Sequence, residues 1–173
     1  LIAYVKLEYK LSSYKDFIRD IPNFPTQGIL FKDITPLIRD ANALKQVIRD
    51  MVSLFSEESI DVVVAIEARG YIFGAPVAHE LGVGFIPIRK QGKLPFETKQ
   101  IEYSLEYGSS TLEIHTDALI SGQRVLIVDD ILATGGTLKA SIDLVEQAGA
   151  EVVGIVVLAE LLGLGGSKHL ANY

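Results

Sequence analysis

One stretch limits what this chain can become: Val125-Leu126-Ile127-Val128-Asp129-Asp130-Ile131-Leu132-Ala133-Thr134-Gly135-Gly136-Thr137, an apolar run that meets two acids and then a glycine-threonine turn. Residues 125–128 carry no polar side chain, as a strand covered on both faces requires, because water reaches neither side of it. The run predicts a central parallel strand and, with it, an α/β fold. Acids at the carboxyl end of such a strand lie where open α/β sheets bind ligands, so Asp129 and Asp130 are expected to face a ligand and not the core. Gly135 and Gly136 permit left-handed dihedrals and close approach to an anion, while Thr134 and Thr137 add hydroxyl donors. Leu138, Ile142 and Val145 follow at helical spacing, so the free amides of a helix start point at the same place. Two carboxylates beside a phosphate cradle are compatible if they accept hydrogen bonds from the vicinal hydroxyls of a ribose whose 5-phosphate lies in the loop. No Lys follows the second Gly, and G-x-G-x-x-G is absent, which excludes a Walker A loop and a dinucleotide fingerprint.

The bulk of the sequence narrows the partners. A chain of 173 residues, 49% hydrophobic and 22% charged, predicts one domain over residues 1–173. A net charge of -6 argues against a nucleic-acid or anionic-membrane surface, so an anionic ligand must be caught by a local basic patch. With no cysteine there is no disulfide, thiolate metal site or cysteine nucleophile, and a reducing compartment is permitted. His79, His115 and His169 have no metal-ligand spacing. The longest apolar run, residues 152–159, is too short to cross a bilayer, and no basic-then-apolar leader opens the sequence, so a cytoplasmic location is expected. The first residue is not Met, which points to a trimmed start.

Along the chain, Tyr14, Phe17, Ile18 and Ile21 recur at helical spacing, with Ser12 or Ser13 as cap and Pro22 as stop, and predict a short helix. Residues 23–37 are dense in turn formers yet hold Phe24 and Phe31, as a loop folded over something would. Leu44, Val47, Ile48, Met51 and Phe55 predict a helix capped by Asp40. Residues 61–66 form a second buried-strand candidate that delivers Glu67, Ala68, Arg69, Gly70 and Tyr71 at its end, before a helix through Ile72, Phe73, Val77 and Leu81 that Gly82 can close. A third strand, residues 84–88, leads into Arg89, Lys90, Lys93 and Lys99, the one basic cluster in an acidic chain. Guanidinium and ammonium groups at a strand end suit a diphosphate. Residues 91–110 are polar with little helical period and predict a mobile flap, with a strand edge at 103–108. Residues 112–115 alternate as a strand, which makes His115 a strand-face residue. Gly149 ends the helix after the glycine turn, and residues 152–159 supply another buried strand in a βαβ unit.

Several of these segments resemble one family. The block at 125–137 resembles the phosphoribosyl diphosphate (PRPP) signature of the phosphoribosyltransferases. Phe24-Pro25, Gly28-Ile29, Phe31 and Asp33-Ile34-Thr35-Pro36 resemble the hood of the adenine-specific members, with Gln27 where many relatives have Pro. Glu67-Ala68-Arg69-Gly70 and Arg89, Lys90, Lys93, Leu94, Pro95 match the diphosphate-binding segments, and Leu105-Glu106-Tyr107-Gly108 matches the catalytic loop. Tyr71 replaces a frequent Phe, and its hydroxyl needs a partner if buried. The tail, residues 164–170, has Ser167 where Arg is common, which puts any dimer or flap contact of that Arg in question.

The resemblance spans residues 24–170 and implies a type I phosphoribosyltransferase fold, a central parallel sheet flanked by helices, with a hood at about 22–37 and the flap at about 91–110. It implies AMP and diphosphate formed from adenine and PRPP, with Mg2+ held mainly through substrate and water, in a homodimer. Phe31 would stack on adenine while the backbone of Leu30 and Lys32 reads its edge. Arg69, Gly70, Arg89, Lys90 and Lys93 would bind diphosphate, and the resemblance implies a strained peptide bond in the loop before Gly70 that aims its amides at the leaving group. Asp129 and Asp130 would hold the ribose hydroxyls, Ala133, Thr134, Gly135, Gly136 and Thr137 the 5-phosphate, and Glu106 would act as acid/base. Two rivals share these motifs: transfer to another purine such as xanthine or guanine, and a non-catalytic PRPP-sensing regulator.

Overall fold

The computed structural model describes residues 14–104 and 108–170. Eight strands are present: β1 (Arg19–Pro22), β2 (Leu30–Asp33), β3 (Val62–Ile66), β4 (Gly84–Lys90), β5 (Thr98–Ser104), β6 (Ser109–His115), β7 (Arg124–Leu132) and β8 (Glu151–Glu160). The helices are α1 (Thr35–Arg39), α2 (Ala41–Ser53), α3 (Gly70–Leu81), α4 (Gly136–Gln147) and the single turn α5 (Gly166–His169). Six strands form one sheet in the order β5-β6-β4-β3-β7-β8. The four from β4 to β8 run parallel, with Val64 facing Ile127 and Val128 facing Val156 across β7. The β5-β6 hairpin continues the sheet antiparallel beside β4.

Both faces of the parallel strands are dry, as residues 125–128 require. On one face Val62, Val64, Val125 and Ile127 pack with Leu138, Ile142 and Val145 of α4. On the other, Val63, Ala65, Leu126 and Val128 pack with Val47, Ile48 and Met51 of α2 and Phe73 and Val77 of α3. Asp40 caps α2 as expected, accepting from the N–H of Asn42 and Ala43 at 3.0 and 2.9 Å. Gly82 closes α3 at φ 70°.

Three expectations change. The helix expected over residues 14–21 is a short 3-10 turn, Lys15–Phe17, followed by β1. Antiparallel pairing of β1 with β2 satisfies this backbone instead, and Tyr14 turns inward, where its hydroxyl donates to Asp50 at 2.6 Å. Tertiary pairing has overridden a weak local period. The hood stretch is likewise not irregular throughout, since it contains β2 and α1. The acid pair lies inside β7, with Asp129 paired to Val157 of β8, because that strand runs on to Leu132. Within residues 91–110, the described part includes β5 and the first residues of β6, which pair as an antiparallel hairpin at the expected strand edge. Leu105, Glu106 and Tyr107 lie outside the described residues.

Two glycines mark where layers approach most closely. A Cβ on Gly74 of α3 would lie 2.5 Å from the Cβ of Ala65, and one on Gly154 of β8 would lie 2.2 Å from the buried Phe55 ring. The Phe55 ring fills the space a side chain would need, and overpacking of that kind is destabilising. Gly154→Ala should lower unfolding free energy by about 1–3 kcal/mol in urea denaturation. An unchanged midpoint would mean that Phe55 repacks freely.

Candidate functional site

The carboxyl ends of β3, β4, β7 and β8 open at one edge of the sheet, and the sequence places its chemistry there. The acid pair is nearly dry: Asp129 is 9% exposed and Asp130 5%. The two acids expected to face a ligand are therefore sheltered from water. Asp129 Oδ1 accepts the Asp130 N–H at 2.9 Å, and Arg69 Nε stands 2.7 Å from Asp130 Oδ2. That contact is ionic, because no donor is aligned on Oδ2 as a hydrogen bond. Burial and then the neighbouring Asp130 charge push the Asp129 carboxyl well above the usual range. Burial raises Asp130 too, against the pull of the Arg69 charge. Both carboxyls are thus shifted in the direction that disfavours two full charges side by side. Gly70 has no Cβ where one would lie 2.9 Å from Asp129 Oδ1, so the start of α3 sits directly against the acid.

Of the expected diphosphate cations, Arg89 and Lys93 are already partnered. Arg89 Nε donates to Glu67 Oε2 at 2.8 Å, and Lys93 Nζ to Glu67 Oε1 at 2.6 Å. Burial pushes the Glu67 carboxyl up, yet the bonds from Lys93 and Arg89 outweigh it and hold it below the ordinary carboxylate range. Glu67 is a residue the sequence reading quoted without assigning it a task. Its signal was available, an acid at the end of a wholly buried strand that faces a basic segment. Glu113 was missed as well. Only 2% exposed, it accepts the N–H groups of Lys93 and Leu94 at 2.9 Å each and so fixes the basic turn from below. Burial raises its carboxyl, but the amides of Leu94, Gly92 and Lys93 hold it lower than usual. Lys90 is exposed at the end of β4. Lys99 leaves the cluster, because the β5 hairpin carries it to the carbonyl of Gln147 at the end of α4.

The Glu67-Ala68 peptide is cis, at the place where an unusual peptide was expected. Tyr71 is partly buried, and its hydroxyl finds the partner it needs, the Ile88 carbonyl at 2.8 Å. Burial raises that phenol to about 12.

The hood closes an apolar slot of about 440 Å³ lined by Ile21, Phe24, Phe31, Ile34, Ile38 and Ile72 among others. Phe24 meets Phe31 edge to face, and the Arg69 guanidinium lies 5.1 Å from the Phe31 ring centre. The pairing of β1 with β2 settles where the backbone points. Pro22, opposite Leu30, has no N–H to give, and the Lys32 carbonyl accepts from Arg69 Nη1 at 3.4 Å. Alternate residues of an antiparallel pair turn both backbone groups away from the partner strand, so Leu30 and Lys32 offer theirs outward. Phe31, between them, carries the ring.

Past β7 the loop through Ala133 and Thr134 reaches Gly135 at φ 88°, which starts α4 at Gly136, with Thr137 in its first turn. The unpaired amides of this turn form a seat for one anion. Apolar slot, acid pair, cation set and glycine turn therefore gather at one edge of the sheet, with the cations at the ends of β3 and β4 and the acids and turn at β7. Among the described residues, no three His, Cys, Asp or Glu side chains converge as a metal cage.

A family model of the phosphoribosyl transferase domain matches residues 37–168. An adenine phosphoribosyltransferase from Kosmotoga olearia is 55% identical over 159 residues, 92% of this chain and 94% of that one. The crystal structure of adenine phosphoribosyltransferase from Thermoanaerobacter pseudethanolicus superposes with a TM-score of 0.91 at 53% identity, covering 94% of this chain and 95% of that one. The Saccharomyces cerevisiae enzyme, complexed with an imino-altritol bisphosphate and adenine, gives a TM-score of 0.87 at 40% identity over 93% of this chain and 94% of that one. The chain therefore belongs to the phosphoribosyltransferase family, with adenine phosphoribosyltransferases as its matched relatives.

Proposed function

We propose that the chain is an adenine phosphoribosyltransferase, a pentosyltransferase of purine salvage that forms AMP and diphosphate from adenine and PRPP. The observation that carries this reading is the order of the site: an aromatic slot beside the outward backbone of β2, then a buried acid pair, then a glycine-rich turn at a helix start. A purine, a sugar diol and a phosphate are joined in that order in AMP.

In the reaction the bond from ribose C1 to diphosphate breaks with its electron pair on the leaving group, and a ring nitrogen of adenine bonds to C1 from the opposite face. Positive character builds on the ribose, where Asp129 and Asp130 offer negative charge and hydroxyl acceptors while Ala133, Thr134, Gly135, Gly136 and Thr137 hold the 5-phosphate. Diphosphate draws Arg69 from Asp130 and competes with Glu67 for Arg89 and Lys93, so the substrate exchanges ion pairs that already exist. Lys90 and the Gly70 amide complete that subsite. Phe31 stacks on the base, and the outward backbone of Leu30 and Lys32 reads its edge. Glu106 takes the proton released by the attacking nitrogen. A magnesium ion would be held mainly through substrate and water, and Asp130 Oδ2 is a protein oxygen that could join it. Bound there, it would offset charge on the leaving group. The reading extends to a homodimer acting in the cytoplasm. No helix of the described residues is long and apolar enough to cross a membrane.

Incubation with PRPP, magnesium and each purine in turn should yield AMP from adenine in large excess over IMP, GMP or XMP; preference for another base would overturn the substrate assignment. Glu106→Ala should lower kcat by about 10²–10⁴-fold while PRPP still binds, and undiminished turnover would remove Glu106 from the mechanism. Asp129→Asn keeps an acceptor for the Asp130 N–H and removes a costly buried charge. Because the native carboxyl titrates above its unfolded value of about 3.9, the folded chain holds a proton that the unfolded one releases. Ligand-free stability therefore falls as pH rises through the interval between the two values. The Asn variant escapes that loss, and near pH ~7.5 its Tm should exceed wild type by about 2–4 °C. AMP formation by it should fall about 10²-fold or more. A lower Tm with intact activity would contradict both roles.

A further inference from the structure

The tail after β8 packs against the back of the phosphate loop. Glu160 Oε1 accepts the Ser167 N–H at 3.3 Å at one end of α5, and Leu170, fully buried, anchors the other. Between them the two backbones interlock. A Cβ on Gly166 would lie 2.4 Å from the Ala133 carbonyl oxygen, and one on Gly135 would lie 2.9 Å from the Gly166 carbonyl oxygen. His169 Nδ1 stands 2.7 Å from the Thr134 carbonyl oxygen. A carbonyl only accepts, so Nδ1 carries the hydrogen and donates.

The consequence follows from the trans peptide. In a planar trans unit the C=O and the next residue's N–H point in opposite directions. With the Ala133 and Thr134 carbonyls on the tail side, the N–H groups of Thr134 and Gly135 point away from the tail, toward the anion seat. A loop free to flip either unit would present a carbonyl oxygen to the phosphate. We infer that residues 165–170 set the polarity of the phosphate loop, and that His169 is a positioning residue for the 5-phosphate, acting through the Thr134 carbonyl. This rests on the reading of the loop as the seat of a sugar phosphate. It gives a task to the tail segment that holds Ser167.

The test uses the full chain as wild type, His169→Ala and His169→Asn, since the Asn amide can place an N–H near the position of Nδ1. Calorimetric binding of ribose 5-phosphate should weaken about 3–10-fold in the Ala variant, and the Asn variant should recover to within about twofold of wild type. In steady state the same ratio should appear in KM for PRPP, with KM for adenine and kcat held within about twofold. Equal ribose 5-phosphate affinity in all three proteins overturns the inference. So does an equal loss in Ala and Asn, or a KM for adenine that rises in step with that for PRPP. If wild type binds ribose 5-phosphate in the expected pattern yet forms no AMP, the transferase reading fails and the positioning role stands. If AMP forms while the affinities are equal, the reverse holds.

Discussion

Everything at this site depends on how two carboxylates are kept in a place that water scarcely reaches. Asp129 and Asp130 lie within a strand whose preceding four residues are completely buried between two helical layers. Ionised carboxylates there are expensive unless matched by positive charge or hydrogen bonds. The chain matches them incompletely, with one guanidinium against Asp130 Oδ2 and one backbone N–H on Asp129. Asp130 Oδ2 in particular has no aligned donor, and a hydroxyl of the proposed sugar substrate would supply one.

The same economy governs the cations. An acidic chain that must bind a polyanion would gain little from loose lysines, which solvent and salt screen. Here Glu67 collects Arg89 and Lys93, and Glu113 fixes the turn that carries Lys93 by accepting its backbone. Arg69 joins the hood to the acid pair, touching the Phe31 ring, the Lys32 carbonyl and Asp130. One side chain therefore spans the aromatic slot and the acid pair, the places that the proposed function gives to base and sugar.

Much of this was legible in the residues. The four central strands, the glycine turn with its helix, the cap at Asp40 and the partner demanded by Tyr71 each follow from local pattern or from the need to satisfy a buried polar group. The failures have a common cause. Tyr14, Phe17, Ile18 and Ile21 carry a helical period, but β2 lies alongside and its pairing is worth more than one turn of helix. Lys99 looked like part of the basic cluster until the β5 hairpin carried it to the far end of α4.

The sequence by itself determined which segments are dry, which ends carry charge and where the backbone needs glycine, because burial on two faces, charge and φ are demands each short segment makes locally. Only the tertiary structure decided which of those demands meet. Glu67 reaches Arg89 and Lys93 because β3 and β4 end side by side. Leu30 turns its backbone outward because Pro22, which has no N–H, stands opposite it in the other strand, and the Lys32 carbonyl is met by Arg69 from across the site. His169 closes on Thr134 because α5 folds back over the loop, 35 residues away along the chain. Such contacts are set by the register and order of strands, and no local period in the sequence encodes either.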